Sequence, residues 1–203
     1  MPDYFKFPFV LILVCVIAAL SLAGIYTLTS PHKEAMEADQ ITSSLKVVFP
    51  EASEFKEIKS PETDFAYRLA KNSTGNVIGY VVDGSAIGYS SVIRVMVGLD
   101  EKFAVQGIKV ISQKETPGLG DKIEEVKSSK TIFGMIFGKN PDEAGLKPWF
   151  QTQFVGLTAP VKVDKDGGRV ESITGATISS RAVCNAVNDA IAKLKRELKV
   201  SKE

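Results

Sequence analysis

The stretch ESITGATISSRAV, residues 171–183, stands where an expected strand ends and a run of helical period begins. Thr174, Thr177, Ser179 and Ser180 set four hydroxyls around Gly175 and Ala176, just ahead of a helix whose first N–H groups have no internal partners. Hydroxyl donors and a helix N-terminus in one place suit an anion, a phosphate in particular. An ordinary N-cap needs only one of those hydroxyls, and on the residues alone both readings stand. The stretch is neither a GxGxxG turn nor a Walker loop, since the spacing and the lysine are missing.

After Ser180, apolar residues Val183, Val187, Ile191, Leu194 and Leu198 recur at helical spacing on one face. Lys193, Lys195, Arg196 and Lys199 gather toward the C-terminal end of that helix, where cations are favoured. Upstream, Val161 and Val163 begin an expected strand, DKDGG at 164–168 is a turn, and Val170 opens the return strand. Further strands are expected at 65–69 and 77–82, joined by the turn KNSTGN, and at 90–99 and 106–112, with another turn at 84–88. Arg94 reads as a surface residue of a half-buried strand. Two glycines and a proline make 116–120 a shaped loop, while 123–137 gives no clear element type. Trp149, Phe150 and Phe154 form a cluster able to close a core or flank a planar ligand, with core packing the expectation for Trp149. The fold class is α+β, a largely antiparallel sheet with flanking helices.

The N-terminal part differs in kind. From 7 to 30 there is no Lys, Arg, Asp, Glu or His. The run FPFVLILVCVIAALSLAGIYTL at 7–28 would reach about 33 Å as a helix, enough to cross a hydrocarbon layer of about 30 Å. Pro8 suits a first turn and Tyr26 an interface. A cleaved signal peptide ending at Ala23 is the alternative, but the apolar run continues through Ile25, Tyr26 and Leu28, which favours an anchor. Basic residues barely differ between its flanks, and the short leading tail favours a domain outside the cytoplasm. A short amphipathic helix over 34–49 follows, with Met36, Ile41, Leu45 and Val48 as its stripe and Pro50 as its stop. The division is therefore a tail and anchor at 1–30, a juxtamembrane helix and the start of the soluble domain at 31–75, and the main domain at 76–203.

Composition removes several functions. Lys and Arg number 25 against 24 Asp and Glu, so there is no general electrostatic attraction for nucleic acid. The single histidine, His32, disfavours a Ser-His-Asp triad and any two-histidine zinc site, and no metal ligand set is expected. Cys15 and Cys184 form no CxxC pair and no iron–sulfur ligand set. If the chain handles electrons, an organic cofactor is the carrier.

Thr174-Gly175-Ala176-Thr177, preceded at three residues by Glu171, resembles the flavinylation motif of the FMN-binding domain family: an acidic residue, two variable residues, Ser or Thr, then Gly-Ala-Thr. The loop Glu115-Thr116-Pro117-Gly118-Leu119-Gly120 is similar to the family's second signature, which lines the isoalloxazine ring. With a membrane helix ahead of them, the two motifs resemble the RnfG family, found in Rnf-type electron transport complexes. The NqrC family of the sodium-translocating NADH:quinone reductase is related. The resemblance covers the membrane helix and about 77–194. Glu171 replaces the commoner Asp, and Leu157 stands where the family often has a basic residue.

The resemblance implies FMN attached by a phosphoester to Thr177, through an external flavin transferase. It implies ring contacts from Glu115, Thr116, Gly118, Leu119 and Gly120, phosphate contacts from Thr174, Gly175, Ala176 and Ser179, and help from Glu171 during attachment. No catalytic residue is implied: the chain would relay electrons between other membrane and redox subunits of an ion-translocating ferredoxin:NAD oxidoreductase. It would be a single-pass protein of the cytoplasmic membrane with the flavin domain on the extracytoplasmic side. The missing Rossmann fingerprint agrees with the lack of an NADH site of its own. Alternatives are the NqrC-like component of a quinone reductase, a stand-alone anchored flavoprotein, and a flavin-free assembly module.

Overall fold

Five successive strands, each antiparallel to the next, set the architecture. The computed structural model describes residues 3–59, 65–126 and 147–200, and most of the uncertain segment at 123–137 lies outside them. Contacts divide the chain into two units, Met1–Ser43 and Ser44–Glu203. The first is helical. Helix α1 runs Asp3–Val48 without a break, although an anchor and a separate short helix were expected. Pro31 removes one backbone donor but does not end the helix, and Pro50 follows its last turn, where Phe49 N–H still donates to the Leu45 carbonyl at 2.9 Å. Within α1, Phe7–Thr27 has a mean hydropathy of 2.8 and buries none of that surface in protein. It is the one span among the described residues long and apolar enough to cross a membrane.

In the second unit, β1 (Glu54–Lys59), β2 (Ala66–Lys71), β3 (Val77–Ile87), β4 (Val92–Leu99) and β5 (Val105–Ser112) pair in sequence order, each antiparallel to the next. The turn KNSTGN joins β2 to β3, its Asn72 side chain accepting from the N–H groups of Thr74 and Asn76 at 3.0 Å each. Strand β1 was not anticipated: its charged residues, Glu54, Lys56, Glu57 and Lys59, hide an edge strand from a hydrophobic reading and guard that edge.

Two expectations are corrected. Residues 84–87 are strand, and the reversal lies at Gly88 to Ser91, closed by Gly88 N–H to the Ser91 carbonyl at 2.8 Å. Gly84 serves approach rather than turning, because any Cβ there would overlap the Ala186 carbonyl of the terminal helix. The expected hairpin at 161–170 is also absent. Val163 and Val170 make only an isolated parallel bridge around a 3₁₀ turn, Asp164–Asp166, reversed at Gly167 with φ +75°. Both valines are fully buried, so the segment is anchored by its ends and leaves the turn at the surface.

Helix α2 is one turn, Trp149–Thr152, and α3 runs Thr177–Val200. Val183, Val187, Ile191 and Leu194 of α3 pack against Val82, Ile93, Val95 and Val97, as the helical spacing predicts. Phe150 and Phe154 close this core edge to face at 5.6 Å, with Trp149 half-buried against it. On the other face of the sheet, Val81, Met96 and Ala70 meet Leu45, Val48 and Phe49. Arg94 is exposed.

One end of this sheet is tied to α3 by a buried carboxylate. Glu115 Oε1 accepts from the N–H groups of Ser90 and Ser91 at 3.0 Å each and from the Ser91 hydroxyl at 3.1 Å. Its Oε2 accepts from Tyr89 N–H at 3.0 Å and the Ser179 hydroxyl at 2.5 Å. Burial alone pushes the Glu115 carboxyl up, but the Ser179 hydroxyl and the three N–H donors outweigh it and hold it below the usual range. With a lowered folded pKa, its contribution to stability is full above the unfolded value and is lost as pH falls through the folded one. Glu115→Gln, which turns an amide group toward donors, should cost about 2–4 kcal/mol at neutral pH. Thermal unfolding of the detergent-solubilised chain from about pH 7 to about pH 3 should show the gap to wild type narrowing with acid; a constant gap would mean that the charge contributes nothing.

Candidate functional site

Helix α3 begins at Thr177, earlier than the expected start after Ser180. Gly175 takes φ +81°, Ala176 N–H closes a turn on the Ile173 carbonyl at 3.0 Å, and the Ala176 carbonyl accepts the first helical bond from Ser180 at 3.0 Å. The Ser180 hydroxyl donates to that same carbonyl and accepts from Ile173 N–H, both at 3.0 Å, so it locks the helix entry. Ser179 is committed to Glu115. The N–H groups of Thr177, Ile178 and Ser179 fall in the first turn, where no intrahelical acceptor is available.

Beside this helix start lies a cavity of about 620 Å³. Gly175, Ala176, Thr177, Ile178 and Ser179 form one side, while Glu115, Thr116, Leu119 and Gly120 form another. The two segments touch closely: a Cβ on Gly120 would meet the Ser179 hydroxyl at 2.6 Å and the Glu115 Cβ at 2.8 Å. Tyr89 and Lys165 complete the lining.

The structure does not bring every expected residue to this space. Gly118, with φ +75°, belongs to an adjoining cleft with Gln113 and Asp121. Thr174 and Glu171 are exposed and off the lining, and the Glu171 backbone is held by Gln153, whose Oε1 accepts its N–H at 2.7 Å. Trp149 also lies elsewhere.

Three lining residues were not anticipated. Tyr89 lies in a turn without a motif and Ile178 inside 171–183 was given no role there; the two residues line the cavity and are 71% and 50% exposed. Lys165 sits inside DKDGG, a segment legible only as a turn, and its Nζ donates to Thr177 Oγ1 at 2.9 Å. Next to it, Arg181 grips Asp166 with Nε and a terminal nitrogen, both at 2.7 Å, and this guanidinium holds the Asp166 carboxyl below its usual range. The Cys184 thiol is buried and pushed up to about 12, chiefly by that burial, so it is an inert neighbour.

Chemically, the cavity has a cationic hydroxyl-bearing end and a wall with apolar side chains. A bound anion would meet Lys165 and a helix N-terminus. The volume lies within the range of ligand pockets, about 300–1,000 Å³.

Residues 88–192 match the FMN-binding domain family. The chain is 32% identical over 189 residues to the G-type component of the ion-translocating oxidoreductase complex of Methanosarcina acetivorans, covering 89% of both chains. It is 35% identical over 182 residues to the corresponding G-type component of Haemophilus influenzae strain PittEE, covering 85% of this chain and 81% of that one. The crystal structure of NqrC from Shewanella oneidensis aligns with a TM-score of 0.46 at 17% identity over 73% of this chain and 74% of that one. The chain belongs to the RnfG family of ion-translocating oxidoreductase complexes, and its 88–192 segment is an FMN-binding domain.

Proposed function

We propose that this chain is the electron-relay subunit of an Rnf-type ion-translocating oxidoreductase complex and holds FMN in the 620 Å³ cavity through a phosphoester to Thr177. The observation that carries the reading is the convergence on one cavity of two segments far apart in sequence, the loop through Leu119 and the helix start at Thr177.

The residues fit the group. The Lys165 ammonium and the first-turn N–H groups of α3 suit a phosphate. Tyr89, Leu119 and Ile178 offer apolar surface to a planar ring, and Thr116 offers a hydroxyl beside it. Glu115 acts through position: its oxygens are engaged by Ser179 and by residues 89–91, so it fixes the walls. When bound, FMN supplies one- and two-electron chemistry, while the protein supplies position and electrostatics.

Redox neighbours in the same membrane assembly would deliver and remove the electrons, and an external flavin transferase would attach the cofactor. The 7–27 span anchors the chain. We assign the flavin domain to the extracytoplasmic side, where a covalent bond has a use because lost FMN would not easily be replaced.

Thr177→Ala should abolish the mass increment of the flavin adduct and the fluorescent band in a denaturing gel, in cells that contain the transferase, while the domain stays folded. An adduct on a peptide lacking Thr177 would sink the reading. Glu171→Gln should slow adduct formation several-fold with purified transferase, and Glu171→Asp should not; equal rates for all three forms would remove Glu171 from attachment. The chain should resist carbonate extraction, and protease should reach the domain in intact spheroplasts. A mature terminus at Gly24 would overturn the anchor, and protection until the membrane is opened would overturn the orientation.

A further inference from the structure

We propose that Lys165 activates the Thr177 hydroxyl for phosphoester formation, and that the Asp166–Arg181 ion pair holds Lys165 in place to do so. This rests on Thr177 being the acceptor.

An ammonium group has donors and no acceptor. At 2.9 Å from Oγ1, Lys165 therefore occupies an oxygen lone pair and leaves the hydroxyl's own proton to be given elsewhere. A positive charge at that oxygen favours the developing alkoxide as the proton departs. The contact is built by the fold. The turn bearing Lys165 is tied to α3 through Asp166 and Arg181 at 2.7 Å twice, and to the segment before α3 through Ser172 N–H donating to Asp164 Oδ1 at 3.0 Å. Arg181 lies four residues beyond Thr177, on the same face of α3. The ion pair and the Lys165–Thr177 contact are thus neighbouring cross-links between the same two segments.

The reaction is a phosphoryl-centred displacement with no redox change. The donor is a flavin dinucleotide. A bond forms between Thr177 Oγ1 and the phosphorus on the flavin side, and the bond from that phosphorus to the bridging oxygen breaks. The nucleoside monophosphate leaves, and the hydroxyl proton passes to a basic group of the transferase. The phosphodiester that results keeps one negative charge, which Lys165 and the first turn of α3 are placed to meet.

Adduct formation by intact mass tests this, using the full detergent-solubilised chain, purified flavin transferase and flavin adenine dinucleotide. Lys165→Met should lower the maximal rate about 100-fold, the scale of losing one charge-stabilising donor, and leave the half-saturating carrier concentration within about twofold. Lys165→Arg should stay within about tenfold of wild type, because the charge is kept. Asp166→Asn and Arg181→Gln should each slow the reaction, and the reversed pair, Asp166→Arg with Arg181→Asp, should recover most of the rate. Lys165→Met at the wild-type rate would overturn the proposal, as would a loss seen only in the half-saturating concentration, which marks a transferase recognition surface. A reversed pair as slow as the single variants would overturn the positioning role. Circular dichroism and thermal midpoints confirm folding, and Lys165→Gln replaces the Met variant if that one is unfolded. If wild type gains no adduct, or Thr177→Ala still gains one, the Thr177 reading fails and this proposal with it.

Discussion

The carboxylate of Glu115 is the constraint on which the site depends. A buried charge is costly unless donors replace its water, and five donors from two other parts of the chain converge on it. Three backbone N–H groups come from the turn after β3, a hydroxyl from that same turn, and another from the first turn of α3. No one of these segments can move without leaving the charge or a donor unsatisfied. The loop through Leu119 is therefore registered against the helix start at Thr177, although the residues are distant in sequence, and the cavity between them has fixed walls.

The other charged clamp works at a different energy. Asp166 and Arg181 are both substantially exposed, so solvent screens their attraction and the pair adds little to global stability. Its bidentate geometry still restricts the turn, and a restricted turn delivers Lys165 to one oxygen atom. A buried cross-link sets the walls, and an exposed one sets a single side chain.

Where the sequence was legible, one physical signal had no competitor. The α3 stripe, the antiparallel strands, the KNSTGN turn and the apolar span of α1 all follow from periodicity or composition. The misreadings arose where one residue type has two uses. Gly84 looked like a turn but makes room for the Ala186 carbonyl. The apolar anchor and the amphipathic stretch at 34–49 looked like two helices but form one, α1. Ser180 looked like the last residue before α3, yet its hydroxyl locks the helix entry from inside. Lys165 was hidden because its role depends on where a turn is anchored, and the anchor is Arg181, on a helix that sequence reading assigned to packing.

The four hydroxyls around Gly175 are chemically similar, and the fold distinguishes them. Ser180 is spent on the Ala176 carbonyl and Ile173 N–H, and Ser179 on Glu115. Thr174 is exposed and off the cavity lining. Thr177 lines the cavity, and its hydroxyl meets a cation. Of the four, only Thr177 both lines the cavity and keeps its hydroxyl outside the Glu115 and helix-entry networks. The distinction among the four follows from which neighbours the fold has already bound to other work, and from the cation it places beside Thr177.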